Sequence, residues 1–268
     1  MTSREPSPRI LTLTTDFGLG DPYVASMKAV ILSIDRTVLL VDISHELPPH
    51  QILPAALLLR EVCPRFPPGT IHVAVVDPGV GGARRPVLLK IQDHFWIGPD
   101  NGLFGLLITD FGCTGAWRIE NRRYFLPSVS RTFHGRDLFA PAAAHLARGV
   151  PAEAFGPEIR DLMTIELPKP AREEDRLRGE IIWIDHFGNC MTNISEEEAL
   201  QWSDREPFII RAASRVMEGV STSYDVVPKG HSLAIFNSMR RLEIACNQSR
   251  ADQTLGLRQG DQVVLEKL

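Results

Sequence analysis

The arrangement best suited to chemistry in this sequence is an aspartate seven residues ahead of an arginine, with a stretch that must bend between them. It occurs in VVDPGVGGARRP, residues 75–86, where Asp77 ends an apolar run and Arg84 follows Gly81 and Gly82. A carboxylate beside a guanidinium stays ionised and fixed in direction, which is what orienting and activating a water requires. The plainer alternative is a turn. Asp77, Pro78 and Gly79 are what a type II turn asks for at its first three positions, the glycine supplying a positive φ. Arg85 reads as a surface or interface charge.

Three further stretches carry residues of the same kind. In TFHGRDLFAP, residues 132–141, His134 stands beside Gly135 at a helix entrance, with Asp137 as the expected N-cap and Arg136 its solvated neighbour. A histidine there is either a base for near-neutral pH or a structural ring. Asp16 ends ILTLTTD next to a Gly-containing turn. A carboxylate so placed can accept two hydrogen bonds from a ribose diol, or serve only as a turn aspartate. In IDHFGNCMTNI, residues 184–194, Phe187 and Asn189 form a plausible purine clamp, one stacking and one bonding the base edge, with a bulged strand end as the alternative. FNSMRRLEIACN, residues 236–247, reads as a second hairpin end carrying Ser238 and Glu243.

Other chemistries are excluded by spacing. No H-x-x-H, H-E-x-x-H or carboxylate cluster accompanies His134, so no metal is expected. The DFG at 16–18 has only fifteen residues before it, too few for the strand lysine and catalytic loop of a kinase. The nearby GLG lacks the third glycine of a dinucleotide fingerprint. TDFG recurs at 109–112, but one copy ends a strand and the other a helix.

Elements that alternate between strand and helix must position these residues. ILTLTTD, TVLLVDIS and TIHVAVVD read as buried strands. DPYVASMKAVILSI, with Asp21 as N-cap and Pro22 at the first helical position, and QILPAALLLREVC read as the helices between them. That order predicts an α/β domain, a mostly parallel sheet flanked by helices, whose ligands gather at the carboxyl ends of strands. Asp16, Ser44 and Asp77 fall at such ends. PVLLKIQ and HFWIGP predict a hairpin, GLFGLLITD and LFAPAAAHLARG helices, the second closed by Gly149. Around LPKPAREEDRLRG composition shifts to Pro and charge, so the domains are read as 1–167, a linker at 168–178, and 179–268. In the last part short alternating pieces, among them GEIIWID, NCMTNI, PFIIRAA, SYDVV, SLAIFN, RLEIAC and DQVVLEKL, predict a smaller antiparallel β-barrel domain.

Composition narrows the class. A chain of 268 residues with net charge -4 and dispersed Lys and Arg lacks the basic footprint of a nucleic-acid binder. There is no apolar run long enough for a membrane span, and the polar, Pro-interrupted MTSREPSPRI is no signal peptide, so a cytoplasmic protein is expected. Cys63, Cys113, Cys190 and Cys246 are widely spaced and read as reduced. The sequons at Asn193 and Asn247 are then chance matches.

Together, TTDFGLGDPYVASMK, VDISHELPPH, VVDPGVGGARRP, IGPDNGLF, TFHGRDLFAP and DHFGNCMTNI resemble the S-adenosyl-L-methionine (SAM) hydroxide adenosyltransferases, the adenosine-forming SAM hydrolases related to fluorinase and chlorinase. The resemblance runs from about residue 11 into the C-terminal strands. It implies an N-terminal α/β domain, a C-terminal barrel, and a homotrimer with active sites between subunits. It implies water attack at C5′ of SAM, giving adenosine and L-methionine without a cofactor. Asp77, Arg84 and His134 would be the hydroxide-generating set, with His134 the base. Asp16 would hold the ribose, Asp185 the methionine amino group, and Phe187 with Asn189 the adenine. Ser238, Glu243 and the backbone near Cys246 would complete the pocket. His50 stands where relatives place an apolar aromatic against the ribose, and Met239 where the fluorinase has an arginine. Halide-using relatives carry Tyr in place of Asp77 and lack the histidine, which favours water over halide here. Two alternatives stay beside this reading, a halide adenosyltransferase and a non-catalytic adenosine or SAM sensor.

Overall fold

The computed structural model describes residues 9–268 and divides into two compact units, one ending at Glu166 and the other spanning Leu167–Leu268. The polar stretch Met1–Pro8, read above as no signal peptide, lies outside the described residues.

The first unit contains, in order, β1 (Ile10–Thr15), α1 (Tyr23–Ile34), β2 (Leu39–Ser44), α2 (Ile52–Val62), β3 (Ile71–Val75), β4 (Pro86–Ile91), β5 (His94–Pro99), α3 (Gly105–Phe111), β6 (Gly115–Arg118) and α4 (Ala140–Ala147). Its sheet runs β2-β1-β3-β5-β4-β6. The pairings β2/β1, β1/β3 and β3/β5 are parallel, whereas β4 runs antiparallel to both β5 and β6. The sheet is thus mixed: the expected parallel half holds, and the β4–β5 hairpin reverses the other half.

Strand alternation explains the two covered faces. Leu11, Leu13, Ile71, Val73 and Val75 pack with Met27 and Ile31 of α1 and the alanines of α4. Ala74, Val76, Leu89 and Trp96 pack on the other face with Leu59 of α2 and Leu107 of α3. Ala140, Ala143, Ala144 and Ala147 recur at helical spacing, and their small side chains let α4 lie close against the sheet. α1 begins one residue later than expected: Pro22 occupies the cap position, with no side-chain cap bond, so Asp21 does not cap it.

The second unit contains β7 (Ala171–Arg172), β8 (Arg176–Ile184), β9 (Cys190–Ser195), α5 (Glu196–Ser203), β10 (Phe208–Ala212), β11 (Arg215–Glu218), β12 (Ser232–Phe236), β13 (Arg241–Cys246), α6 (Ala251–Leu255) and β14 (Gln262–Lys267). The antiparallel order β11-β10-β14-β8-β9-β13-β12 curls into a nearly closed barrel around Leu177, Ile181, Ile194, Trp202, Ile210, Leu242, Ile244 and Leu265. Its two edge strands approach through Ser221, whose amide donates to the Ala234 carbonyl at 2.7 Å. α5 opens with a capping box, Ser195 and Glu198 bonding each other's backbone amides. SYDVV is not a strand: Tyr224–Val226 forms a single helical turn.

Candidate active site

Neighbouring parallel strands bring two of the acids to one end of the first sheet. Thr15 of β1 pairs with Val75 of β3, so Asp16 and Asp77 leave the sheet side by side at its carboxyl end. A bend follows Asp77, with the Val80 amide donating to the Asp77 carbonyl at 3.2 Å, but the left-handed residue is Gly81 (φ 74°) and not Gly79. The bend is therefore not the type II turn expected from Asp-Pro-Gly. Gly81 is needed for a second reason: a Cβ there would stand 2.1 Å from the carbonyl oxygen of Arg131. That close approach seats the 77–84 loop directly against the segment that leads to His134.

The loop returns Arg84 onto Asp77. Arg84 Nε donates to Oδ1 and Oδ2 at 3.0 and 2.9 Å, and a terminal nitrogen of the same guanidinium also reaches Oδ2. That terminal nitrogen lies 2.7 Å from His134 Nδ1. The side chains of Arg84 and Asp77 are nearly closed to solvent, and the guanidinium lies 5.4 Å over the ring of Phe139. Burial and the Arg84 charge hold His134 below its ordinary value of 6.5, so the ring is neutral at neutral pH. Arginine can only donate, so Nδ1 accepts and the ring proton sits on Nε2.

Asp137 fixes the loop that carries His134. Fully buried, it accepts from the Ser130 amide at 2.8 Å and from Arg136 Nε at 2.6 Å, within a wide π-helical turn over Gly135–Phe139. It is a loop anchor and not the simple N-cap expected, and Arg136 is its ion partner. Arg85 is likewise no free surface charge. It bonds Asp100 and Asp161, while Asn101 donates to the Val76 carbonyl at 2.9 Å, so the PDNG motif braces the strand end before Asp77.

Asp16 accepts the backbone amide of His50 at 2.8 Å, and His50 takes a left-handed conformation (φ 66°) to deliver it. Beside Asp16 and His134 stands an aromatic group that sequence reasoning missed. Phe17, Tyr23 and Phe133 meet edge to face with centroids 5.1–5.9 Å apart. With Ser130, Thr132 and Arg136 they line a cavity of about 400 Å³. The signal was present, since Phe17 and Phe133 directly adjoin Asp16 and His134.

Within the second unit, Asp185, Phe187, Asn189, Ser238, Met239, Glu243 and Cys246 all line one cavity of about 930 Å³. Asp185 and Asn189 are bonded to each other: Asp185 accepts the Asn189 amide at 2.8 Å and its side-chain nitrogen at 3.1 Å. Asn189 therefore keeps its carbonyl oxygen, an acceptor, out of this pairing. Gly188 (φ 82°) makes this turn possible, because a Cβ would lie 2.5 Å from Asp252 Oδ1. Phe187 is strongly exposed, as a stacking platform needs. Glu243 is buried and accepts from Tyr224 Oη at 2.8 Å and Asn237 Nδ2 at 3.0 Å. Burial pushes its carboxyl upward, and the Asp185 charge acts in the same direction. Tyr224 was missed because its segment read as a strand.

Family models described as the SAM hydroxide adenosyltransferase N-terminal and C-terminal domains match residues 11–156 and 179–264. A protein of Thermus thermophilus named (R)-S-adenosyl-L-methionine hydrolase is 39% identical, covering 92% of this chain and 95% of its own. One of the same name from Salinispora tropica is 36% identical, covering 96% and 97%. The crystal structure of an uncharacterized conserved protein from Thermotoga maritima superposes with a TM-score of 0.88 at 35% identity, covering 96% of this chain and 100% of that one. More distant matches carry the name fluorinase, one from Actinoplanes sp. being 30% identical over 69% of this chain and 71% of its own.

Proposed function

The chain belongs to the SAM hydroxide adenosyltransferase family, and from that premise we propose that it is a SAM hydrolase, acting on the (R) sulfonium form in its relatives' names. Water attacks C5′, the C5′–S bond breaks with its electron pair going to sulfur, and adenosine, L-methionine and a proton result. The observation that carries this reading is the buried constellation of Asp77, Arg84 and His134 at the strand ends.

The leaving group is a neutral thioether departing from a sulfonium, so no acid is needed on that side. What the site must supply is a water held in line with the C5′–S bond, an orientation advantage that can exceed proton transfer itself. We propose a division of labour that differs from the expected one. His134 Nδ1 faces Arg84 and Nε2 carries the proton, so the neutral ring has no open lone pair with which to act as base. We assign proton acceptance to Asp77, whose oxygens keep lone pairs beyond those facing Arg84, and water orientation to His134 Nε2–H. The proton leaves late, once C–O bond formation has made the oxygen strongly acidic, so a carboxylate suffices.

Asp16 takes the ribose hydroxyls and the Phe17, Tyr23 and Phe133 rings flank the sulfonium. Phe187 and the Asn189 carbonyl take the adenine, and Asp185, Ser238, Glu243 and the backbone at Cys246 hold the remainder. His50 serves through its amide, which fixes Asp16. The reaction balances with SAM and water alone, so no cofactor is proposed. We further assign a homotrimer in which the first unit of one subunit and the second unit of its neighbour complete each site. A cytoplasmic setting accords with the unpaired state of Cys63, Cys113, Cys190 and Cys246.

The test is incubation of the pure protein with SAM in ¹⁸O-labelled water. Adenosine labelled at O5′ and methionine should appear together. Adenosine without methionine overturns the reading, 5′-halo-5′-deoxyadenosine formed with added chloride or fluoride selects the halide transferase, and tight adenosine binding without SAM consumption selects the sensor.

A further inference from the structure

We propose that the pocket of the second unit selects a cationic tail and does not require a tail carboxylate, so that the enzyme also cleaves sulfonium nucleosides ending in an aminoalkyl group. The inference rests on the reaction proposed above and names a wider substrate class for the same site. It is carried by the charges that line the cavity and by what those charges already do.

Asp185 and Glu243 both face this cavity, and among its described lining residues the one guanidinium is that of Arg250. That guanidinium is committed on three sides. Its Nε and one terminal nitrogen bond Asp252 at 3.1 and 2.8 Å, and the other terminal nitrogen bonds the His186 carbonyl at 2.8 Å. Among the described residues, Asp185 and Glu243 accept bonds from the neutral donors Asn189, Tyr224 and Asn237, so no direct ion pair neutralises either, although burial pushes the Glu243 carboxyl upward. Each carboxylate oxygen has two lone pairs, which leaves acceptor capacity directed at a ligand. At the mouth Ser238 offers a hydroxyl and Met239 a thioether, and neither carries charge.

The first unit's cluster has the same sign, Asp16 and Asp77 against Arg84, which is itself bound to Asp77. A ligand's sulfonium and ammonium are therefore attracted, while a carboxylate on the tail meets like charge and finds among the lining guanidiniums only the two N–H groups that Arg250 keeps beyond its bonds to Asp252 and His186. Removing that carboxylate deletes the repelled group and keeps both attracted ones. The chemistry is unchanged: water oxygen bonds C5′, the C5′–S electron pair goes to sulfur, and the products are adenosine, a methylthioalkyl ammonium whose sulfur is now a neutral thioether, and one proton released to solvent.

The experiment compares kcat/KM for SAM and for decarboxylated SAM on the wild-type protein. The decarboxylated compound should equal or exceed SAM, and a value about a hundredfold or more below SAM overturns the inference. Met239→Arg, which adds a cation to the lining, should move the ratio toward SAM by about tenfold, and an unmoved ratio overturns the assignment of this selectivity to the pocket. Titration calorimetry with both compounds on the Asp77→Asn protein gives the affinity ratio without turnover. A calorimetric preference for SAM of about a hundredfold overturns the inference even where hydrolysis is intact. Absence of SAM hydrolysis instead overturns the reaction, and the affinity ratio then still decides the inference.

Discussion

Arg84 meets both oxygens of Asp77 and the Nδ1 of His134 with one planar guanidinium. A lysine is a point charge on a flexible stem and cannot span both partners. Arg84→Lys should therefore lower kcat by about a hundredfold or more while leaving KM for SAM nearly unchanged, as steady-state kinetics would show. Asp77→Asn removes the assigned proton acceptor and should lower kcat at least as far, with adenosine affinity intact by calorimetry. The pH profile follows from the ring. Because burial and Arg84 hold His134 below 6.5, the folded protein favours the neutral ring, and protonation, which would turn Nδ1 from acceptor to donor and displace Arg84, sets in only below that value. Turnover should hold level as pH falls from 8 toward 6.5 and decline only below it, and a decline centred above 6.5 would contradict the neutral-ring assignment. At this scale the sequence brought forward Asp77, Arg84 and His134 as candidates but not the way they face. Spacing paired Asp77 with Arg84, whereas the tautomer of His134 depends on a partner 50 residues away.

The loop 77–84 works because Gly81 lets it touch the Arg131 carbonyl. Gly81→Ala would put a methyl inside that carbonyl's radius at a positive φ, so the two loops must separate. Expected outcomes are a loss of stability of about 1–3 kcal/mol in denaturant titration and a larger proportional loss of kcat, because the strain falls on the catalytic loop. Gly79→Ala, at a position without a positive φ, should be milder in both measurements. Elements with continuous apolar runs were legible, since β1 and β3 are buried along nearly their whole length and α2 buries Pro54, Ala55, Ala56, Leu57 and Leu59, and their patterns report it. The failures have local causes. Tyr224 and Val226 look strand-like, but the Tyr224 hydroxyl is drawn to Glu243 and the chain turns there instead. α5 was hidden because its first turn is Glu196, Glu197 and Glu198, a polar face whose helix is announced by the capping box and not by hydrophobic period. The β4–β5 hairpin was legible in PVLLKIQ and HFWIGP, whereas β6, which extends the antiparallel part of the first sheet beside β4, is only four residues long and carried no strand signal of its own.

Stability of the whole first unit is tied to His72, wholly buried between Thr12, at 2.8 Å from its Nδ1, and the rings of His94 and Trp96. Burial, reinforced by His94, depresses its pKa from 6.5 to about 3. The folded state thus keeps the ring neutral where the unfolded chain would protonate it. Stability from this group is complete above 6.5 and falls as pH drops, by up to about 1.4 kcal/mol per unit, until the folded ring titrates as well. Urea titrations at pH 7 and pH 5 should show a smaller difference for His72→Phe than for the wild type. At the scale of the assembly, Asp77→Ala and Asp185→Ala subunits, each inactive alone, should regain activity when unfolded together in equal amounts and refolded, because about a quarter of all sites would then pair two intact halves. No recovery would contradict completion of the site across subunits. Under these assignments the division at Glu166 has a consequence for inheritance. The residues that choose the attacking group, at 77, 84 and 134, all precede it, and those that choose the tail, from 185 to 250, all follow it. A single recombination event near residue 166 would therefore join the nucleophile of one lineage to the substrate preference of another, and each trait is free to drift without rewriting the other.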